Sequence, residues 1–297
     1  MASRGCLWGW IIGVAALLLI VLVTVVTIES VLGERISLPM PGRHVGLIRI
    51  EGLLADPTRI ISDIDELTDD PSIGAVVLRI DSPGGGVAAS QEVYSRIVEA
   101  RDDGTPFVVS MGTVAASGGY YVACPAESIL ANPGTLTGSI GVVLSFMNFE
   151  ELFGKIGVDM EVVKSGRYKD TGSWSRQMTD EERALLQETI DDIHRQFVET
   201  VILERGLEPA RVESLADGRV LSGRQALGAG LVDRLGTLDD ALAVAGRLAG
   251  IEGEPNVRRP VRPRRLTLLD LVGSTLGSLA DESPAKAGAQ YLWYPGK

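Results

Sequence analysis

Residues 108–121 read VVSMGTVAASGGYY. The apolar run Phe107–Met111 leading into them has the composition of a buried strand. It gives way to small residues, and Ser117 stands between Ala116 and the pair Gly118-Gly119. Such an order holds a hydroxyl at the end of a strand, with nothing bulky around it and two permissive backbone units after it. That suits a nucleophile at a strand-to-helix turn with free N–H groups beside it. The same residues also suit a tight turn whose small side chains merely allow close packing. Taken alone, the stretch favours that simpler reading, because small-residue turns are common and nucleophiles rare. A base and oxyanion donors must come from elsewhere in the chain.

Outward from this stretch, strands alternate with helices. Val45–Ile50 (VGLIRI) reads as a strand, and Ile60, Ile61, Ile64 and Leu67 give Pro57–Leu67 helical spacing. Ala75–Ile80 (AVVLRI) reads as a second buried strand. It runs into Asp81-Ser82-Pro83-Gly84-Gly85-Gly86, a turn that leaves backbone N–H groups free. A helical pattern covers Ala88–Ala100, ahead of the Phe107–Met111 strand. Ser128–Ala131 is a short strand, Gly134–Val143 a small-residue turn entering another, and Met160–Val163 a further strand. Ser165–Ser173 (SGRYKDTGS) is a polar loop. Thr179 and Glu182 then form a capping box that opens a long helix, with apolar residues recurring from Leu185 to Ile202. Leu221–Val232 is a helical turn with glycine punctuation, and Thr237–Leu248 another helix. The alternation predicts an α/β domain with a largely parallel sheet and flanking helices over residues 44–250.

Both ends of the chain differ from this body. Leu7–Ile28 is 22 residues without a charge. As a helix it spans about 33 Å, enough for the hydrocarbon core. Trp8 and Trp10 sit at its start, Arg4 precedes it, and Glu29 and Glu34 follow. The pattern predicts a short cytoplasmic N-terminus (1–6), a single transmembrane anchor (7–28) and a linker (29–43), with the body on the outer side. A cleaved signal peptide is the competing reading. It is opposed by the length of the run and by the lack of an A-x-A site. Residues 251–297 begin with arginines interspersed with prolines, continue as an amphipathic pattern over Leu266–Leu279, and end in Tyr291-Leu292-Trp293-Tyr294-Pro295. The basic run and helix suit either anionic lipid or a neighbouring subunit. The last segment is too apolar for a free tail and is expected to dock.

Composition excludes several functions. Net charge is −11 and aromatic residues form no stacking stripe, which argues against nucleic acid as a partner. Two cysteines, Cys6 and Cys124, and two histidines, His44 and His194, make neither a disulfide framework nor a metal motif. No cofactor and no metal are expected. Cys124, seven residues past Ser117, reads as a small core residue.

The histidine count also restricts the base. His44 falls in the linker region and His194 lies mid-helix among Asp191, Asp192 and Arg195, so neither suits a Ser-His-Asp arrangement. The chain has five lysines: Lys155, Lys164, Lys169, Lys286 and Lys297. Lys169 lies in the polar loop between Tyr168 and Asp170. A free lysine is a poor base at neutral pH, near 10.4, and needs a dry pocket and neutral hydrogen-bond partners to become one. The Ser139 hydroxyl, in Gly138-Ser139-Ile140-Gly141, is one such partner. From the residues alone, a surface lysine remains the commoner case.

Five segments in order are recognisable: DSPGGG (81–86), MGTVAASGGYY (111–121), TGSIGV (137–142), SGRYKDTGS (165–173) and GRVLSGRQALGAGLVD (218–233). Together they resemble the S49 family of membrane-bound serine peptidases, the signal peptide peptidase A type. The resemblance covers roughly residues 45–250. It implies a ClpP/crotonase-like fold, with Ser117 as nucleophile, Lys169 as general base and Ser139 orienting the lysine amine. It further implies an oxyanion hole from the N–H groups of Gly85 and Gly118. The implied substrates are remnant signal peptides and other apolar, membrane-associated peptides. The implied location is the bacterial cytoplasmic membrane. A single-copy chain would build each site between adjacent protomers of a ring, an octamer, with serine and lysine from different copies.

Two other functions compete. A crotonase-like acyl-CoA enzyme would use the same paired N–H groups on a thioester enolate. A non-catalytic scaffold would organise membrane partners and leave Ser117 inert to acylating inhibitors.

Overall fold

The computed structural model describes residues 43–261 and 290–292. The expected anchor, linker, amphipathic helix and most of the tail lie outside the described residues. Apart from Val261, the described residues belong to one compact unit, Arg43–Pro260 with Ala285–Lys297. No helix among them is long and apolar enough to cross a membrane.

The elements in chain order are β1 (His44–Glu51), α1 (Thr58–Thr68), β2 (Ile73–Ser82), β3 (Gly84–Gly86), α2 (Val87–Asp102), β4 (Phe107–Ala116), α3 (Gly118–Ala123), β5 (Ser128–Ala131) and β6 (Leu136–Gly138). After these come α4 (Glu150–Ile156), α5 (Asp180–Arg205), α6 (Pro209–Leu215), β7 (Val220–Ser222), α7 (Gly223–Ala229), β8 (Arg234–Leu235), α8 (Leu238–Leu248), β9 (Val257–Arg258) and β10 (Gln290–Leu292).

Eight strands form one sheet in the order β7-β6-β4-β2-β1-β9, with β5 beside β4 and β8 beside β5. Every pair in it is parallel except β6–β7. The mixed α/β architecture with a mostly parallel sheet is therefore as expected. Alternate residues of the central strands point to opposite faces. Val45, Leu47, Ala75, Val77 and Val108 face α8, where Ala241, Ala245 and Ala249 meet them. Ile48, Ile50, Val76, Leu78, Phe107, Val109 and Met111 face the other way, into a larger core with Ile64, Val93, Ile97, Tyr120 and Phe197. Both faces are covered, so these strands read as near-continuous apolar runs. Each fully buried Ile, Leu or Phe contributes about 1.5–3 kcal/mol.

Strand β4 forks. One edge runs along β2 from Phe107 to Ala115, while its other edge pairs first with β5 (Val108–Ser110) and then with β6 (Val114–Ala116). The strand is longer than the expected Phe107–Met111. Gly112 does not end it, because the Asp81 side chain fills the space a Cβ would need there and accepts the Val114 amide at 3.1 Å.

Three further readings are corrected. Gly84–Gly86 is a short strand rather than an open turn, bridged to Leu54 in parallel and paired with β10 antiparallel. Met160–Val163 is not a strand, and Val163 is 96 % exposed. A short apolar run becomes a strand only beside another edge, and among the described residues none pairs with it there. His44 is not in a linker: it opens β1 and is buried. Helix α4, unforeseen, buries none of its residues.

Candidate active site

The C-terminal ends of β2, β4 and β6 converge on one place. Ser117 follows β4 directly. It is 1 % exposed, with φ 53° and ψ −118°. For a non-glycine residue that backbone costs on the order of 1–3 kcal/mol. Its carbonyl accepts the Tyr121 amide at 2.8 Å, which starts α3, and its own amide donates to Gly138 O at 2.8 Å. Its Oγ is buried and has no hydrogen-bond partner among the described residues. A buried hydroxyl without a partner costs roughly 1–3 kcal/mol, so this one is held ready rather than satisfied.

Ser139 stands next to it. Ala116 pairs with Gly138, so the residues after β4 and β6 leave the sheet side by side. Ser139 is also left-handed, at φ 52°, and is buried at 7 %. Its amide donates to Arg219 O at 2.8 Å. The GRVLSG segment thus enters the site through the backbone of Arg219, a contribution the resemblance did not assign.

The proposed oxyanion donors lie on β3 and α3, which pack against each other. Gly118 is the first residue of α3, so its amide has no acceptor inside the helix. On β3, Leu54 N donates to Gly84 O and Gly86 N donates to Leu54 O, each at 2.8 Å. Successive groups of a strand point to opposite edges, so the Gly85 N–H faces away from Leu54, toward the edge that β10 occupies. A Cβ on Gly85 would sit 2.2 Å from Leu54 O, so only glycine fits. Ser82, which sequence reasoning passed over, is fully buried and accepts the Gly84 amide at 3.1 Å, fixing the entry to β3. On the outer edge, Tyr291 of β10 pairs with Gly85, Gln290 with Gly86 and Leu292 with Gly84. The expected docking of the tail is therefore a strand laid along the glycines.

Lys169 stands apart from this group within the chain. It is exposed, in the turn 165–173, where its amide donates to Gly166 O at 3.1 Å. Since Ser117 Oγ has no partner, Lys169 Nζ does not reach it in the single copy. Neither do the histidines. Among the described residues no cluster of three His, Cys, Asp or Glu side chains could hold a metal ion. Cys124, in the core beneath α3, has its thiol pushed up to about 12 by burial.

Comparison with known proteins agrees with the reading of the motifs. Residues 99–252 match the model of peptidase family S49. A putative protease of Synechocystis is 43 % identical over 211 residues, 71 % of this chain and 76 % of the relative. Protease 4 of Salmonella typhi is 39 % identical over 191 residues, which cover 64 % of this chain but 31 % of that protein. The chloroplastic serine protease SPPA of Arabidopsis thaliana is 34 % identical over 237 residues, 77 % of this chain and 35 % of that one. The family model covers more than half of the chain, and the chain belongs to peptidase family S49.

Proposed function

We propose that this chain is a membrane-anchored endopeptidase in which Ser117 is the nucleophile and Lys169 of a neighbouring copy the general base. The observation that carries the reading is the buried, left-handed Ser117 with its unpartnered Oγ. In the reaction, the neutral amine of Lys169 accepts the hydroxyl proton as Oγ attacks the peptide carbonyl. The developing oxyanion takes hydrogen bonds from the Gly85 and Gly118 amides. The lysine ammonium then gives its proton to the leaving amine as the C–N bond breaks. The Lys169 amine, neutral again, takes a proton from a water that adds to the ester, and returns it to Ser117 Oγ as the ester C–O bond breaks and the acid leaves. Ser139 is the neutral partner that directs the amine.

Two features support a neighbour as the source of Lys169. The single copy leaves the hydroxyl unpaired, and the segment leading to Lys169 exposes Phe146, Met147, Leu152, Ile156, Val162 and Val163. Covering that segment would also supply the dry surroundings a lysine base needs. A ring of copies, an octamer on the resemblance, provides it. The backbone edge of β3 fits an extended peptide, the position β10 takes in this chain. Remnant signal peptides and other apolar, membrane-associated peptides are the substrate class, and the bacterial cytoplasmic membrane the location.

Co-expression tests the reading. Ser117→Ala and Lys169→Ala chains, each inactive by itself, should regain a fraction of wild-type peptide cleavage when mixed in one oligomer. Full activity in either single variant would eliminate the pair. Two inactive variants that never complement would place both groups in one copy.

A further inference from the structure

The turn that carries Lys169 is not held by burial, since residues 161–169 are all exposed. It is held by charge. The Asp170 carboxylate accepts from Lys164 Nζ at 2.5 Å through one oxygen and from Arg176 Nε at 3.0 Å through the other. Arg176 Nη2 also reaches the Asp170 carbonyl at 3.3 Å. The far side of the same guanidinium holds Glu182, with Nη1 to Oε2 at 2.9 Å and Nη2 to Oε1 at 2.5 Å. Glu182 closes the capping box of α5 with Thr179 and accepts from Thr171 Oγ1 at 3.3 Å. On the other flank of Lys169, Tyr168 donates to Glu181 at 2.5 Å, and Arg167 pairs with Glu181 as well. The residues on both sides of Lys169 are thus tied to the first turn of α5.

Resting on Lys169 as the base, we propose that Arg176 is its positioning residue. Arg176 locks the turn to α5 through Asp170 and Glu182, and it keeps the adjacent Asp170 carboxylate from capturing the lysine amine. A lysine base fails if a carboxylate one residue away pairs with it, because that pairing stabilises the ammonium. Lys164 and Arg176 each hold one oxygen of Asp170, so its charge is already offset and competed for, and they hold its carboxyl far below the usual range. Of the other charges on the packed elements, Glu181 is held by Arg167 and Tyr168, Glu182 by Arg176 and Glu150 of α4 by the Gln177 amide, while Glu151 and Lys155 of α4 and Asp180 and Arg183 of α5 lie on the same elements. A planar fork suits the role, since a lysine at 176 could not span both carboxylates.

The test uses the full chain in detergent, with Lys169→Ala as control. Arg176→Ala should lower kcat on the order of 10- to 100-fold, the size of a misplaced catalytic group, with KM little changed and oligomer size retained. The acid limb of its pH–rate profile should move to higher pH, as the freed Asp170 carboxylate meets the lysine. Adding Asp170→Asn to that variant should bring the limb back while kcat stays low. Arg176→Lys should recover only part of the rate. If Arg176→Ala fails to assemble, Asp170→Asn decides alone: a lower kcat at unchanged KM supports the proposal, and a wild-type kcat overturns it. A wild-type kcat and acid limb in Arg176→Ala, with Lys169→Ala inactive, also overturns it and leaves the peptidase reading standing. An active Lys169→Ala overturns that reading instead.

Discussion

The main-chain amide of Ser117 donates to the carbonyl oxygen of Gly138 at 2.8 Å, which fixes the Ser117 backbone against the residue that immediately precedes Ser139. Two hydroxyl residues with left-handed backbones, φ 53° and 52°, are thereby set as a pair at the open end of a forked strand. Neither position can shift without dragging the other strand. Rigid placement of this kind is what a nucleophile and the group that directs its base require.

Gly85→Ala should lose at least about 10²-fold in kcat, the usual cost of one lost oxyanion donor. The new Cβ would stand 2.2 Å from Leu54 O, so β3 must move and take its N–H with it. Gly86→Ala is the control. Its Cβ meets nothing closer than 3.6 Å and its φ is −62°, so turnover should stay near wild type. Turnover of a reporter peptide by the two purified variants checks the contrast.

Ser139 separates stability from activity. Ser139→Gly relieves a left-handed backbone and should be more stable than Ser139→Ala by roughly 1 kcal/mol in denaturant titration. Both lack the hydroxyl, and both should cleave peptide at least about tenfold more slowly than wild type. A Ser139→Ala enzyme with unchanged turnover would remove the hydroxyl from the mechanism.

Cys124 should resist iodoacetamide in the native protein. Its thiol is fully buried and pushed up to about 12 by that burial, so little thiolate exists at neutral pH. Peptide mapping by mass spectrometry should find residue 124 unmodified until denaturant is added. Native labelling there would mean that the core beneath α3 opens.

The Glu182 anchor sets an acid limit. Hydrogen bonds from Arg176, then from the Thr179 backbone, pull its carboxyl down to about 2 from an ordinary value near 4.3. A depressed carboxyl contributes stability that is complete above its unfolded value and fades as pH falls through the folded one. Order in the Lys169 turn should therefore persist at pH 5 and be lost between about pH 4 and pH 2. Glu182→Gln should flatten that transition, as read by proteolytic nicking of residues 165–173.

Much of this was legible in local pattern. The capping box of α5, the β1 and β2 runs and the alternation of strand and helix each depend on neighbours a few residues away. What escaped depends on distant partners. Gly84–Gly86 resembles a turn until Leu54 and residues 290–292 are brought beside it. Met160–Val163 has the apolar residues of a strand but pairs with no edge among the described residues, and β4 runs past Gly112 beside Asp81, paired with β2 and β6. Of the candidate site residues, Ser117 and Ser139 follow paired strands, and Gly85 and Gly118 lie on elements packed together, all from motifs in plain view. The exposed Lys169 does not join them, and the ionic frame around it lacked any short-range signal, since Arg176 must reach both Asp170 and Glu182 at once.

The unpaired hydroxyl of Ser117 bears on how such a hydrolase comes to life in a cell. On the proposed assembly, a newly synthesised chain drifting alone is latent, and harmless to the machinery that made it. Hydrolysis begins only when copies meet, so at low abundance the rate climbs more steeply than the number of molecules. On that assembly, the meeting of copies is itself the switch.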